Sequence, residues 1–191
     1  MPIYDNDGTT NYEIGKLYDN DGTADHQIGK VYDNNGTANS LIYEAELMIY
    51  QNGVYDSSTG GFVKYEAKNS GGFSITSTYL RIFADRYDTV GGNTWVRTVN
   101  PIDLTNFSTL TFTAYRNSTH SSVTTTVGFD TSTSVAWANP TYNVSVGYNT
   151  TGVNYTLDVS NLSGNYYLHF AMMAGYAADD YYLYVNNILL K

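Results

Sequence analysis

Between residues 3 and 44 the chain repeats itself three times, with a period of 14 and no gap. The copies read IYDNDGTTNYEIGK, LYDNDGTADHQIGK and VYDNNGTANSLIYE. Each opens on Ile3, Leu17 or Val31 followed by Tyr4, Tyr18 or Tyr32, and each carries an Ile near its end, at Ile14, Ile28 and Ile42. Between them lie turn signals: Asp5, Asp7 and Gly8, then Asp19, Asp21 and Gly22, then Asp33 and Gly36. Glycine reaches positive φ without steric cost, so Asp-Gly and Asn-Gly pairs mark tight turns. Each unit therefore reads as strand, turn, strand. A unit with so few large apolar side chains cannot bury them alone, and three units remain near the size at which isolated folding needs outside help. The chain has no cysteine to supply disulfides, so other chains are the expected source of burial. The segment is predicted to be a homotrimeric, β-spiral-like stem covering residues 1–44.

The acidic turns also raise a calcium reading, since Asp5-Asn6-Asp7-Gly8 and Asp19-Asn20-Asp21-Gly22 look like pieces of a calcium loop. An EF-hand loop would place its first ligand and its bidentate Glu at Ile3 and Ile14 in the first unit, and at Leu17 and Ile28 in the second. The EF-hand is excluded on that ground. Ordinary turn chemistry and a looser calcium site both stand, and no cofactor is required.

Composition narrows the function classes. Charged residues make up 14 % of the chain and the net charge is −9, from 18 acids and nine Lys and Arg. A nucleic-acid partner calls for a basic face, and the few cations here are scattered. The same deficit argues against an anionic membrane surface. The opening residues MPIYDNDGTTNYEIGK are polar and acidic, unlike a basic and then apolar secretory leader. The expectation is synthesis in a bacterial cytoplasm. The 20 tyrosines, with abundant Thr, Asn and Gly, suit strands joined by tight turns.

From about residue 45 the repeat stops and strand-like runs follow: Phe62–Ala67, Phe73–Thr76, Tyr79–Ala84, Trp95–Val99, Leu110–Arg116, Val123–Phe129, Tyr142–Val146, Tyr155–Val159, Tyr166–Met172 and Tyr181–Leu190. Several alternate, as in Leu110-Thr111-Phe112-Thr113-Ala114-Tyr115, so that one face is buried and the other wet. Residues Tyr43–Tyr50 read as one turn of helix at the junction. The predicted fold is all-β: the stem, then a jelly-roll β-sandwich over residues 45–191.

Three stretches carry a resemblance to jelly-roll carbohydrate-binding modules: Asn100 to Phe112, Leu157-Asp158-Val159-Ser160-Asn161-Leu162-Ser163-Gly164 leading into Tyr166–Phe170, and Tyr182-Leu183-Tyr184-Val185-Asn186-Asn187-Ile188. The YDNDGT…IGK array resembles repeats in virion proteins, including fibres, of phages and prophages of Gram-positive bacteria. Together these resemblances imply a phage surface protein with an anchoring stem and a knob.

Candidate chemistry is sparse, and no catalytic residue is assigned. His26, His120 and His169 show no metal-ligand spacing. Asp179 and Asp180 adjoin Tyr181 and Tyr182 and are the candidate calcium ligands; as a glycosidase pair they would need a fixed separation. Trp95, Trp137, Tyr181 and Tyr182 are the candidate sugar-binding residues, because an indole stacks on a sugar face and a phenol adds a hydrogen bond. For the two tryptophans, filling the core or a trimer interface is the competing assignment. The function expected is a non-enzymatic structural protein of a phage virion surface, as a head fibre, capsid decoration or small tail fibre. Its partners would be copies of itself, capsid or tail proteins, and cell-surface glycans. A free carbohydrate-binding module or adhesin is the alternative.

Overall fold

The computed structural model describes residues 3–6, 11–14, 18–20, 25–27, 30–34, 39–68, 71–84, 92–135, 138–175 and 181–191; for residues 3–44 and 66–68 it describes the backbone alone. Each repeat forms one antiparallel hairpin: β1 (Ile3–Asn6) with β2 (Asn11–Ile14), β3 (Tyr18–Asn20) with β4 (Asp25–Gln27), and β5 (Lys30–Asn34) with β6 (Asn39–Glu44). The register recurs with the sequence period, since Asp5 faces Tyr12, Asp19 faces His26 and Asp33 faces Ser40. Asp5, Asp19 and Asp33 were expected in turns and instead lie inside strands. The cross-strand pairing extends past Asp5 to Asn6, which faces Asn11.

Among the described residues thirteen further strands follow. They are β7 (Leu47–Gln51), β8 (Val54–Tyr55), β9 (Phe62–Lys68), β10 (Gly72–Ile75), β11 (Leu80–Ala84), β12 (Asn93–Thr98), β13 (Ile102–Asp103), β14 (Thr109–Arg116), β15 (Val123–Asp130), β16 (Tyr142–Ser145), β17 (Val153–Asp158), β18 (Asn165–Ala174) and β19 (Tyr181–Leu190). They build two antiparallel sheets. The larger runs β10-β11-β19-β14-β17, with β7 also on β19 and β8 on β7. The smaller runs β16-β15-β18-β12-β9, with β13 on β18. From β9 onward the chain passes repeatedly from one sheet to the other, so most neighbours in a sheet are distant in sequence. Among the described residues no helix is long and apolar enough to cross a membrane.

Alternation decides what lies between the sheets. Leu80, Ile82, Leu110, Phe112, Leu183 and Val185 point inward from the larger sheet, and Val96, Val127, Phe129, Leu168 and Phe170 meet them from the smaller. Phe62 bridges the layers, edge-on to Phe170 at 5.7 Å and to Tyr50 at 5.9 Å. Burying each such side chain contributes about 1.5–3 kcal/mol, offset by the entropy of ordering it.

Tyr43–Tyr50 is not a helical turn. β6 ends at Glu44, and Leu47, Met48 and Tyr50 pair with Leu190, Leu189 and Ile188. The segment is rich in helix formers, but a free edge on β19 offers backbone bonds and a core position for Ile49, and that tertiary pairing overrides local propensity.

β19 is irregular near its C-terminal end. Its register slips where it faces β14 and β7, and Asn187 adopts φ 50°. Val185 and Ile188 both enter the core, so Asn186 and Asn187 lie together between them. Asn186 is held by paired bonds with Asn52: its amide donates to Asn52 Oδ1 at 2.9 Å and its Oδ1 accepts from Asn52 N at 3.0 Å.

Candidate functional site

The two outward faces of the sandwich differ. On the smaller sheet, the connection between β15 and β16 folds back over the strands. Arg97 Nε donates to Thr133 O at 3.0 Å, Trp95 Nε1 to Ala138 O at 3.2 Å, and Thr126 Oγ1 to Asn139 Oδ1 at 3.0 Å. Asp130 anchors both ends of the loop, accepting from Ser132 N at 2.8 Å and from Thr141 N and Oγ1 at 3.0 and 2.6 Å. Burial pushes its carboxyl upward, but these bonds from Thr141 and Ser132 outweigh it and hold the group below the ordinary carboxylate value.

His169 is the loop's central pin. It is fully buried, with Nε2 at 3.0 Å from Ser132 O and Nδ1 at 3.0 Å from the Tyr65 hydroxyl. A carbonyl oxygen only accepts, so Nε2 carries the proton and Nδ1 accepts from Tyr65. Burial lowers the His169 pKa to about 4, against opposing contributions from Ser132 O and Asp130. The imidazole is therefore neutral at ordinary pH and acts as a structural bridge.

Trp95 belongs to this covered face. It is fully buried beneath the loop. A buried indole has no face to offer a sugar, so the sequence expectation for Trp95 is corrected. Its cross-strand neighbour on β18 is the small Ala171, and the loop supplies its acceptor.

The outward face of the larger sheet is different in kind. Residues of neighbouring strands line up in rows across it. Ser74, Arg81, Tyr184 and Tyr115 form one row through β10, β11, β19 and β14. Phe83 and Tyr182 form the next, while Asn186, Thr113 and Asn154 lie on the other side. Beyond them are Met48, Leu189, Thr111 and Thr156. Tyr115 and Tyr184 stack, and Tyr79 meets both edge-on at 5.8 and 5.6 Å. Tyr182 lies 5.9 Å from Tyr184 and 6.4 Å from Phe83. All five rings are half-buried. Burial, then the neighbouring Tyr79 and Tyr184 phenols, raise the Tyr115 pKa, so the Tyr115 hydroxyl stays a protonated donor. Next to the rings a shallow groove of about 380 Å³ is lined by Met48, Thr111, Thr113, Asn154, Thr156 and Asn187, among others. Thr113 Oγ1 donates to Asn154 Oδ1 there at 2.9 Å.

Of the sequence candidates, Tyr182 falls within this cluster. Its neighbour Tyr181 points the opposite way and is buried in the core, which removes it from the outward surface. Trp137, Asp179, Asp180, Asp7, Gly8, Asp21, Gly22 and Gly36 lie outside the described residues. Among the described residues no group of His, Asp and Glu could hold a metal ion. Sequence reading missed Tyr79, Arg81, Phe83, Tyr115 and Tyr184. The available signal was aromatic residues in the outward phase of alternation, as in Leu80-Arg81-Ile82-Phe83-Ala84.

The sequence matches no protein-family model and no curated protein. Among solved structures, the chain is similar to a family 29 carbohydrate-binding module from Piromyces equi, at 14 % identity over 76 % of this chain and 89 % of that one, with a TM-score of 0.46. It is similar to a substituted family 29 module complexed with mannohexaose, at 12 % identity over 76 % and 90 % of the two chains, TM-score 0.46. A further family 29 module shares 10 % identity over 76 % and 87 %, TM-score 0.46. The residues of this chain, rather than these likenesses, carry the functional reading.

Proposed function

We propose that this is a non-catalytic binding protein whose sandwich holds a carbohydrate chain along the outward face of the larger sheet. The observation that carries the reading is the half-exposed cluster of Tyr79, Phe83, Tyr115, Tyr182 and Tyr184 on that face, while the other outward face is occupied by the protein's own loop. Rings supply apolar surface for sugar C–H groups, and phenols, Thr113 and Asn154 supply hydrogen bonds for hydroxyls. An open row across four strands spans about 14 Å, which suits several sugar units better than one. Titration calorimetry against a panel of neutral and acidic polysaccharides tests this. Tyr182→Ala and Tyr184→Ala are each expected to weaken binding about tenfold or more while the variants remain folded. Binding that survives both substitutions would remove this face from consideration.

The repetitive segment favours a second element of the reading, that the binding module is carried on a homotrimeric stem at a phage virion surface, docked on capsid or tail proteins. The hairpins repeat their register every 14 residues, which lets copies of the chain pair side by side in phase. Light scattering on the full chain is expected to give a trimer. A monomeric mass would leave a free carbohydrate-binding module or adhesin instead.

A further inference from the structure

We infer that the open face selects saccharides bearing a carboxylate, through Arg81. This rests on the carbohydrate reading above and specifies its ligand class.

Three arginines have described side chains, and two of them are committed to the fold. Arg97 spends Nε on Thr133 O and Nη1 on Thr98 O and Val99 O, and its guanidinium sits 4.5 Å over the Tyr167 ring. Arg116 donates from Nη1 to Val123 O. Arg81 differs. Its Nε donates to Ser74 Oγ at 3.1 Å, and its guanidinium carbon lies 5.4 Å from the Tyr182 ring centre and 5.8 Å from that of Phe83. Its two terminal nitrogens have no hydrogen-bond or ion-pair partner among the described residues. The head group is thus fixed at one end and flanked by rings, with the end-on fork unused. That fork matches the two oxygens of a carboxylate.

Charge placement points the same way. On the described strands of the larger sheet, Arg81 is the one cation outside the core-side end of β14, where Arg116 sits opposite Leu183. The one carboxylate on those strands, Asp158, pairs with Thr109, six residues along β14 from Tyr115 and so about 20 Å away. A chain with net charge −9 places in the middle of its aromatic face a pre-oriented cation that has no acidic partner among the described residues. A neutral sugar would leave it unanswered, while a uronate would meet it with a charge-assisted pair and stack alongside on Tyr182 and Phe83.

The test uses the full chain with polygalacturonate, alginate and hyaluronate, each beside its methyl ester, which keeps the backbone and removes the charge. A neutral panel of dextran, mannan and xylan runs in parallel. At least one acidic polymer is expected to bind about tenfold more tightly than its ester, with the advantage shrinking as salt rises. Arg81→Gln is expected to abolish that advantage and Arg81→Lys to restore part of it, with melting temperatures confirming that both fold. Binding of neutral polymers or esters equal to that of the acids, or an acid preference that survives Arg81→Gln, would overturn the inference while leaving the carbohydrate reading intact. No binding to any polymer would overturn both.

Discussion

Tyr115 and Tyr184 face one another across β14 and β19 with ring centroids 4.7 Å apart and planes 14° from parallel. Stacking of this kind on a solvent-facing sheet couples two strands that are 69 positions apart in the chain. A double-mutant cycle with Tyr115→Ala and Tyr184→Ala is expected to give a coupling of about 0.5–1.5 kcal/mol in urea unfolding. Additive effects would mean that the rings do not support one another in solution.

His169 sets an acid limit on stability. Its folded pKa of about 4 lies below the ordinary 6.5, so the unfolded chain binds the proton more readily. Its neutral bridge is fully favourable above pH 6.5 and is lost as pH falls toward 4. Urea midpoints measured at several pH values are expected to decline across that window in the native protein. In a His169→Gln variant the same interval should be flatter. Asp130, with its lowered carboxyl pKa, adds a separate loss at more acidic pH, below the usual carboxylate value.

Trp95 is expected to be silent in ligand binding and important for stability. In a Trp137→Phe background, its emission should be blue-shifted and little quenched by iodide. Trp95→Ala should cost about 3–5 kcal/mol. A strongly quenched, red-shifted signal would contradict its burial beneath the 131–141 connection.

Gly128 of β15 pairs with Asn143 of β16. A Cβ there would run into the Tyr142 carbonyl oxygen and Asn143. Gly128→Ala is expected to destabilise by about 1–3 kcal/mol, because backbone must move to admit it. A melting temperature equal to the native one would show that the edge strand yields freely.

The turn reading of the acidic repeats predicts that calcium is dispensable. Adding EDTA to the purified full chain should leave its mass and melting temperature unchanged. A drop in either, restored by calcium, would reinstate the metal reading for the stem or for Asp179 and Asp180.

The sandwich strands were largely legible because alternation is a local signal. All ten predicted runs correspond to strands between β9 and β19, with no end shifted by more than two residues. β8 and β13, two residues each, are too short to leave a pattern, and β7 was hidden by its helix-forming composition. The site was less legible. Tyr182 could be found by type, but its separation from Tyr181 depends on the phase of β19, and the rows that assemble Arg81, Tyr184 and Tyr115 depend on which strands are neighbours. Nothing local says that residues 81, 115 and 184 share a row. Trp95 was misjudged for the same reason, since the loop that covers it begins 36 residues later.

The connection that roofs β12, β15 and β18 also fixes the valency of the molecule. With one face closed, the proposed binding leaves a single chain one side to offer, and a polymer would meet one such side per copy. It cannot cross-link two strands by itself, so any bridging or gain in avidity must come from the number of copies held together and the spacing between them.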